Sequence, residues 1–122
     1  MSSISIQVET RYIDRESDPD RGRYVFAYTI TIGNESRRAV RLLNRHWLIT
    51  DAEGTVQEVN GPGVVGKQPR LEPGEGFRYT SAAILKTPVG SMQGHYEFER
   101  DTGDRFLAEI PAFSLSMPRI VH

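Results

Sequence analysis

Large apolar side chains recur at every second position along most of this chain. In the segment 23–32 the even positions Tyr24, Phe26, Tyr28, Ile30 and Ile32 are large and apolar, while Val25, Ala27, Thr29 and Thr31 are small or β-branched. Successive side chains of an extended backbone point to opposite faces, so this alternation predicts a strand with one face on a core. The same parity runs through Ile4, Ile6 and Val8, then Phe77, Tyr79, Ser81 and Ala83. It returns in Met92, Gly94, Tyr96 and Phe98, and again in Phe106, Ala108 and Ile110. The segments 33–36, 51–54, 73–76, 87–90 and 101–104 separate these runs, and each holds the Gly, Pro, Asn or Asp that tight reversals require.

Strands are therefore expected near 3–12, 23–33, 38–50, 55–59, 76–85, 91–99 and 105–110, with 112–117 as a further candidate. No window carries a sustained helical stripe bounded by caps. Arg38 to Trp47 comes nearest, but its β-branched and aromatic content favours a strand containing a bulge. Seven or eight short strands without intervening helices predict an all-β, antiparallel β-sandwich. Trp47 shares parity with Ile49 and is expected to anchor its core.

At 122 residues the chain has the length of one domain, and no linker or repeat divides it; its core is expected over about 3–117. The net charge of −1 provides no basic field for nucleic acid. The absence of cysteine excludes disulfides and thiolate metal sites. No apolar run reaches the roughly 20 residues that span a bilayer. Met1 to Val8 lacks the basic and apolar regions of a signal peptide. A cytoplasmic protein is the expectation.

One stretch raises a chemical question. Asn60 to Leu71, NGPGVVGKQPRL, holds Gly61, Gly63 and Gly66 in G-x-G-x-x-G spacing, with Lys67 next. A dinucleotide fingerprint needs a helix springing from its last glycine, whose first N–H groups face the pyrophosphate. Pro69 and Pro73 follow too soon for that helix, and Pro62 removes a donor from the loop itself. Two readings remain for the loop. The glycines could turn successive N–H groups inward as an anion nest, with Lys67 and Arg70 adding charge for phosphate or pyrophosphate. Alternatively they serve only the positive φ values of a long connection, with Val64 and Val65 tucked against the core.

Other chemistry is sparse. His46, His95 and the chain-ending His122 show no metal-chelating spacing. Asp51 with Glu53, or Asp101 with Asp104, could hold a hard cation such as Mg²⁺ or Co²⁺, but such acids are ordinary in turns. No nucleophile elbow or positioned triad appears, so no catalytic residue is assigned. Arg37, Arg41 and Arg45 share parity and could line a docking strip for an acidic partner, or simply guard a solvated strand against aggregation.

Taken together the chain resembles the ApaG family. The resemblance rests on RHWLITDAEGTVQEVNGPGVVGKQPRLEPGEGFRYTS (residues 45–81), TPVGSMQGHYEF (87–98) and IPAFSL (110–115), and covers roughly 3–117. It implies an immunoglobulin-like sandwich of the fibronectin type III kind, a link by name to cobalt and magnesium efflux or resistance, and no established catalysis. In eukaryotes the same domain is appended to larger proteins, where it looks like a protein-interaction module. The family pattern usually has an acid at Lys67 and a glycine near Ala82, so Lys67 departs from it. The expected function is a non-enzymatic binding module for a protein partner, without cofactor, as a monomer or an edge-paired homodimer. Phosphate binding at Gly61–Arg70 and direct cation binding are the alternatives.

Overall fold

The structure is a computed structural model and describes residues 3–118; His122 lies outside the described residues. Eight strands follow one another: β1 (Ile4–Tyr12), β2 (Tyr24–Asn34), β3 (Val40–Asp51), β4 (Val56–Pro62), β5 (Arg70–Leu71), β6 (Gly76–Leu85), β7 (Val89–Arg100) and β8 (Arg105–Ser116). All pairings are antiparallel. One sheet has the order β1-β2-β6, the other β4-β3-β7-β8, with β5 pairing the β3 edge beyond the end of β4. The charged connection after β1 forms two single 3₁₀ turns, Asp14–Glu16 and Pro19–Arg21.

The two sheets close over the side chains that the period-two pattern singled out. Phe26, Ile30 and Ile32 of β2 and Tyr79 and Ala83 of β6 meet Leu42 and Trp47 of β3, with Tyr96 and Phe98 of β7. Trp47, only 2% exposed, stands at the centre. Its ring meets Tyr28 edge-on at 5.4 Å and Phe113 at 5.9 Å, the geometry that aromatic quadrupoles favour. The hydroxyls of Tyr79 and Tyr96 hydrogen-bond each other across the sheet interface. Burial drives the pKa of both phenols well above the ordinary 10.

Two irregularities reshape the pattern. Opposite β7 the register of β3 slips between Leu42 and Asn44, so the bulge expected in this strand falls at Leu43. Opposite β8, Met92 pairs with Phe113 and Gly94 with Ile110, leaving Pro111 and Ala112 in a second bulge. Proline has no N–H for a ladder and fits a bulge on an edge strand. The final strand and the candidate at 112–117 are therefore one continuous element. Gly94 holds an inward position because a Cβ there would drive into the backbone carbonyl of His46. Its missing side chain lets β3 and β7 approach closely.

Candidate functional site

The bulge at Leu43 organises the glycine-rich stretch. It leaves the Leu43 carbonyl on the open edge of β3, where the Gly63 N–H and the Gln68 side-chain amide both donate to it, at 2.8 and 2.9 Å. The Leu42 N–H in turn donates to the Pro69 carbonyl at 3.0 Å. The segment 63–69 is thus stitched to the gap between β4 and β5 on one strand edge.

Within it, Val64 and Lys67 exchange both backbone hydrogen bonds, at 2.8 and 2.9 Å, closing a two-residue turn over Val65 and Gly66. Both central residues have positive φ, 43° at Val65 and 78° at Gly66, the signature of a type I′ hairpin turn. Each glycine of the G-x-G-x-x-G spacing has a local reason. A Cβ at Gly61 would sit 2.9 Å from the Arg45 guanidinium. At Gly63, φ is +63° and a Cβ would strike the Lys67 carbonyl. Gly66 needs only its left-handed backbone. No helix leaves Gly66, in agreement with the proline argument. The N–H groups of Gly63, Val64 and Lys67 already have backbone acceptors, which removes three donors from an anion nest.

The two valines part company. Val64 is fully buried, as expected, but Val65 is 53% exposed at the hairpin tip and does not tuck against the core. The turn explains this correction: with both central residues in the left-handed region, the chain reverses at once and its tip projects outward.

The arginine strip is also broken by the bulge. Arg41 lies opposite Glu99 on the outer face of β3, whereas Arg45 lies opposite the buried Tyr96 and shares inward parity with Trp47. An extra residue at Leu43 turns one face into the other. Arg45 then caps the hairpin from beneath, donating through Nη1 to the Pro62 and Gly63 carbonyls, both at 3.0 Å. Arg41 bonds the Gln68 carbonyl at 3.4 Å, and Arg37 is exposed in the β2–β3 connection. Arg70 pairs with Glu72, which raises its pKa further through a side-chain hydrogen bond and charge attraction. Arg41, Arg45 and Lys67 therefore gather on the hairpin, rather than Arg37, Arg41 and Arg45 along one strip.

Beside the hairpin base lies a recess of about 440 Å³, lined among others by Arg45, His46, Gly61, Pro62, His95 and Leu107. His46 and His95 face each other in cross-strand register and stack with ring centroids 4.7 Å apart. His46 Nε2 also lies 2.7 Å from a Glu58 carboxylate oxygen. Sequence spacing missed this pair because its members sit on different strands. Their shared outward parity on two long neighbours is the signal that could have found it.

Two of the four acids considered for a cation, Asp51 and Asp101, are engaged elsewhere. Asp51 accepts from the N–H groups of Glu53 and Thr55 at 2.9 and 3.0 Å, closing its own turn. Asp101 lies 3.5 Å from Arg38. Among the described residues no three His, Asp or Glu side chains converge as a metal site would require.

A three-stranded sheet of the first, second and sixth strands against a larger one, without an α-helix among the described residues, defines an immunoglobulin-like sandwich. Its distinguishing feature is the glycine hairpin sewn to a bulged inner strand. The family model described as the ApaG domain (DUF525) matches residues 14–100, and the chain belongs to that family. It is 54% identical over 121 residues to Protein ApaG of Acidithiobacillus ferrooxidans, a match covering 99% of this chain and 95% of that protein. Protein ApaG of Thiobacillus denitrificans is 57% identical over 119 residues, covering 98% and 94% of the two chains. Among solved structures, the ApaA protein of Bordetella pertussis superposes with a TM-score of 0.93 at 47% identity, covering 96% of this chain and 95% of that one.

Proposed function

We propose that this protein is a non-enzymatic binding module that docks another protein through the hairpin at Val64–Lys67. One observation supports the reading above the rest. Val65 is a β-branched residue held at φ +43° and left half exposed, where glycine or asparagine would satisfy the turn without strain. An L-residue in the left-handed region costs about 1–2 kcal/mol, and the protein gains little burial in return. Strain of this kind, held at an exposed tip, favours a role in contact with something outside the molecule. The tip stands on a rigid base, since the Leu43 carbonyl, Arg45 and the buried Val64 fix the hairpin to β3. A preformed apolar projection binds with little ordering cost.

The test compares proteins that co-purify with the full chain and with Val65→Asn, quantified side by side. The reading expects at least one partner to be lost from a variant that is folded and no less stable than the original. Identical partner profiles for the two chains would refute it.

A further inference from the structure

Val65 projects beside Lys67, with Arg41 and Arg45 at the hairpin's base, on a chain whose net charge is −1. From Val59 to Leu71 the sequence contains no aspartate or glutamate. On one side Glu72 is paired with Arg70, and on the other Glu58 hydrogen-bonds the His46 ring. Among the described residues no carboxylate pairs with Lys67, with Arg41 beneath the hairpin, or with Arg45 at its base. Arg45 donates through Nη1 to two backbone carbonyls and Arg41 bonds the Gln68 carbonyl, so both are held in place by neutral acceptors rather than by ion pairs. The outward Glu99 opposite Arg41 lies 3.5 Å from Arg105, which it shares with Glu97 at 3.9 Å.

We infer that the partner surface received by this hairpin is an acidic protein surface: an apolar pocket for Val65, rimmed by Asp or Glu carboxylates that meet Lys67 and Arg41. The inference rests on the docking reading above and specifies its partner. Complementary charge of this kind orients an encounter and excludes wrong partners more than it adds affinity. Positive side chains gathered at the tip steer an acidic surface toward it. Nucleic acid shares the negative charge, but its backbone offers no apolar pocket for a projecting valine.

The test places a diazirine amino acid at the exposed position 62 of the full chain, leaving Val65 in place, cross-links in cells of the native host, and sequences the captured segment. The expected segment belongs to a protein and carries net negative charge around apolar residues. Introducing Lys67→Glu or Arg41→Glu in that background should cut cross-link yield by about tenfold, and raising salt should weaken capture in the same direction. Lys67 is exposed, so Lys67→Glu should melt with the parent chain, which separates lost docking from lost folding. A neutral or basic captured segment, a cross-link to nucleic acid, or a yield unmoved by Lys67→Glu overturns the acidic partner while leaving docking itself in place. No cross-linked product at all overturns both.

Discussion

Replacing Val65 with asparagine should make this protein more stable, which is unusual for a change at a valine. The φ of +43° places the Val65 Cβ against its own following carbonyl, a cost of about 1–2 kcal/mol for an L-residue. Asparagine tolerates this region because its short polar side chain bonds the local backbone. Little is lost on the other side, since Val65 is 53% exposed and the apolar contact it surrenders is small. The net gain is about 1 kcal/mol, which for a domain of this size raises Tm by roughly 4 °C. Glycine relieves the same strain but adds unfolded-state freedom worth about 0.5–1 kcal/mol, so Val65→Gly should gain less. Alanine keeps both the Cβ and the strain and should stay near the parent. The assay is urea unfolding followed by tryptophan fluorescence, since Trp47 is the sole tryptophan and lies in the core. The expected order is Asn above Gly above Val. A Val65→Asn protein that unfolds at or below the parent midpoint would refute the strain argument.

Other positions give sharper losses. Trp47→Ala removes the central ring of the core and should cost about 3–5 kcal/mol by urea denaturation; a variant melting like the parent would show the ring is not buried. Tyr96→Phe leaves the Tyr79 hydroxyl buried without its partner, at a cost of about 1–3 kcal/mol in the same assay. The tyrosine pair also sets an alkaline limit. Both phenols have folded-state pKa values raised above 10, so their stabilisation is complete below that pH and drains away as pH rises beyond it. Ultraviolet titration should accordingly show two tyrosines that ionise only as the fold is lost. Pyrophosphate should leave the backbone amide resonances of Gly61 to Lys67 unmoved, because the Gly63, Val64 and Lys67 N–H groups already have acceptors; saturable shifts there would revive the anion nest.

Much of the architecture was legible in the sequence for a simple reason. Period-two burial is imposed residue by residue, so Phe26, Ile30, Tyr96 and Phe98 each announce their face without reference to distant parts of the chain. The proline argument against a helix after Gly66 was equally local and holds. What escaped were consequences of register. A single extra residue at Leu43 exchanges the faces of Arg41 and Arg45, and alternation alone gives no sign of which residue a bulge will insert. The His46–His95 stack depends on the pairing of β3 with β7, set by turns far from either residue. Val65 was misplaced because Val-Val reads as core, while Val-Gly lacks the Asn-Gly or Asp-Gly signature of the turn it forms. Among the described residues Val65 is the one non-glycine residue with a positive φ.

Unfolding free energy and partner capture, measured together on one preparation of Val65→Asn, put this account to its most direct trial. It predicts a protein that is harder to unfold than the parent yet recovers less of its partner. A variant that gains stability and still captures the same proteins in the same amounts would contradict it.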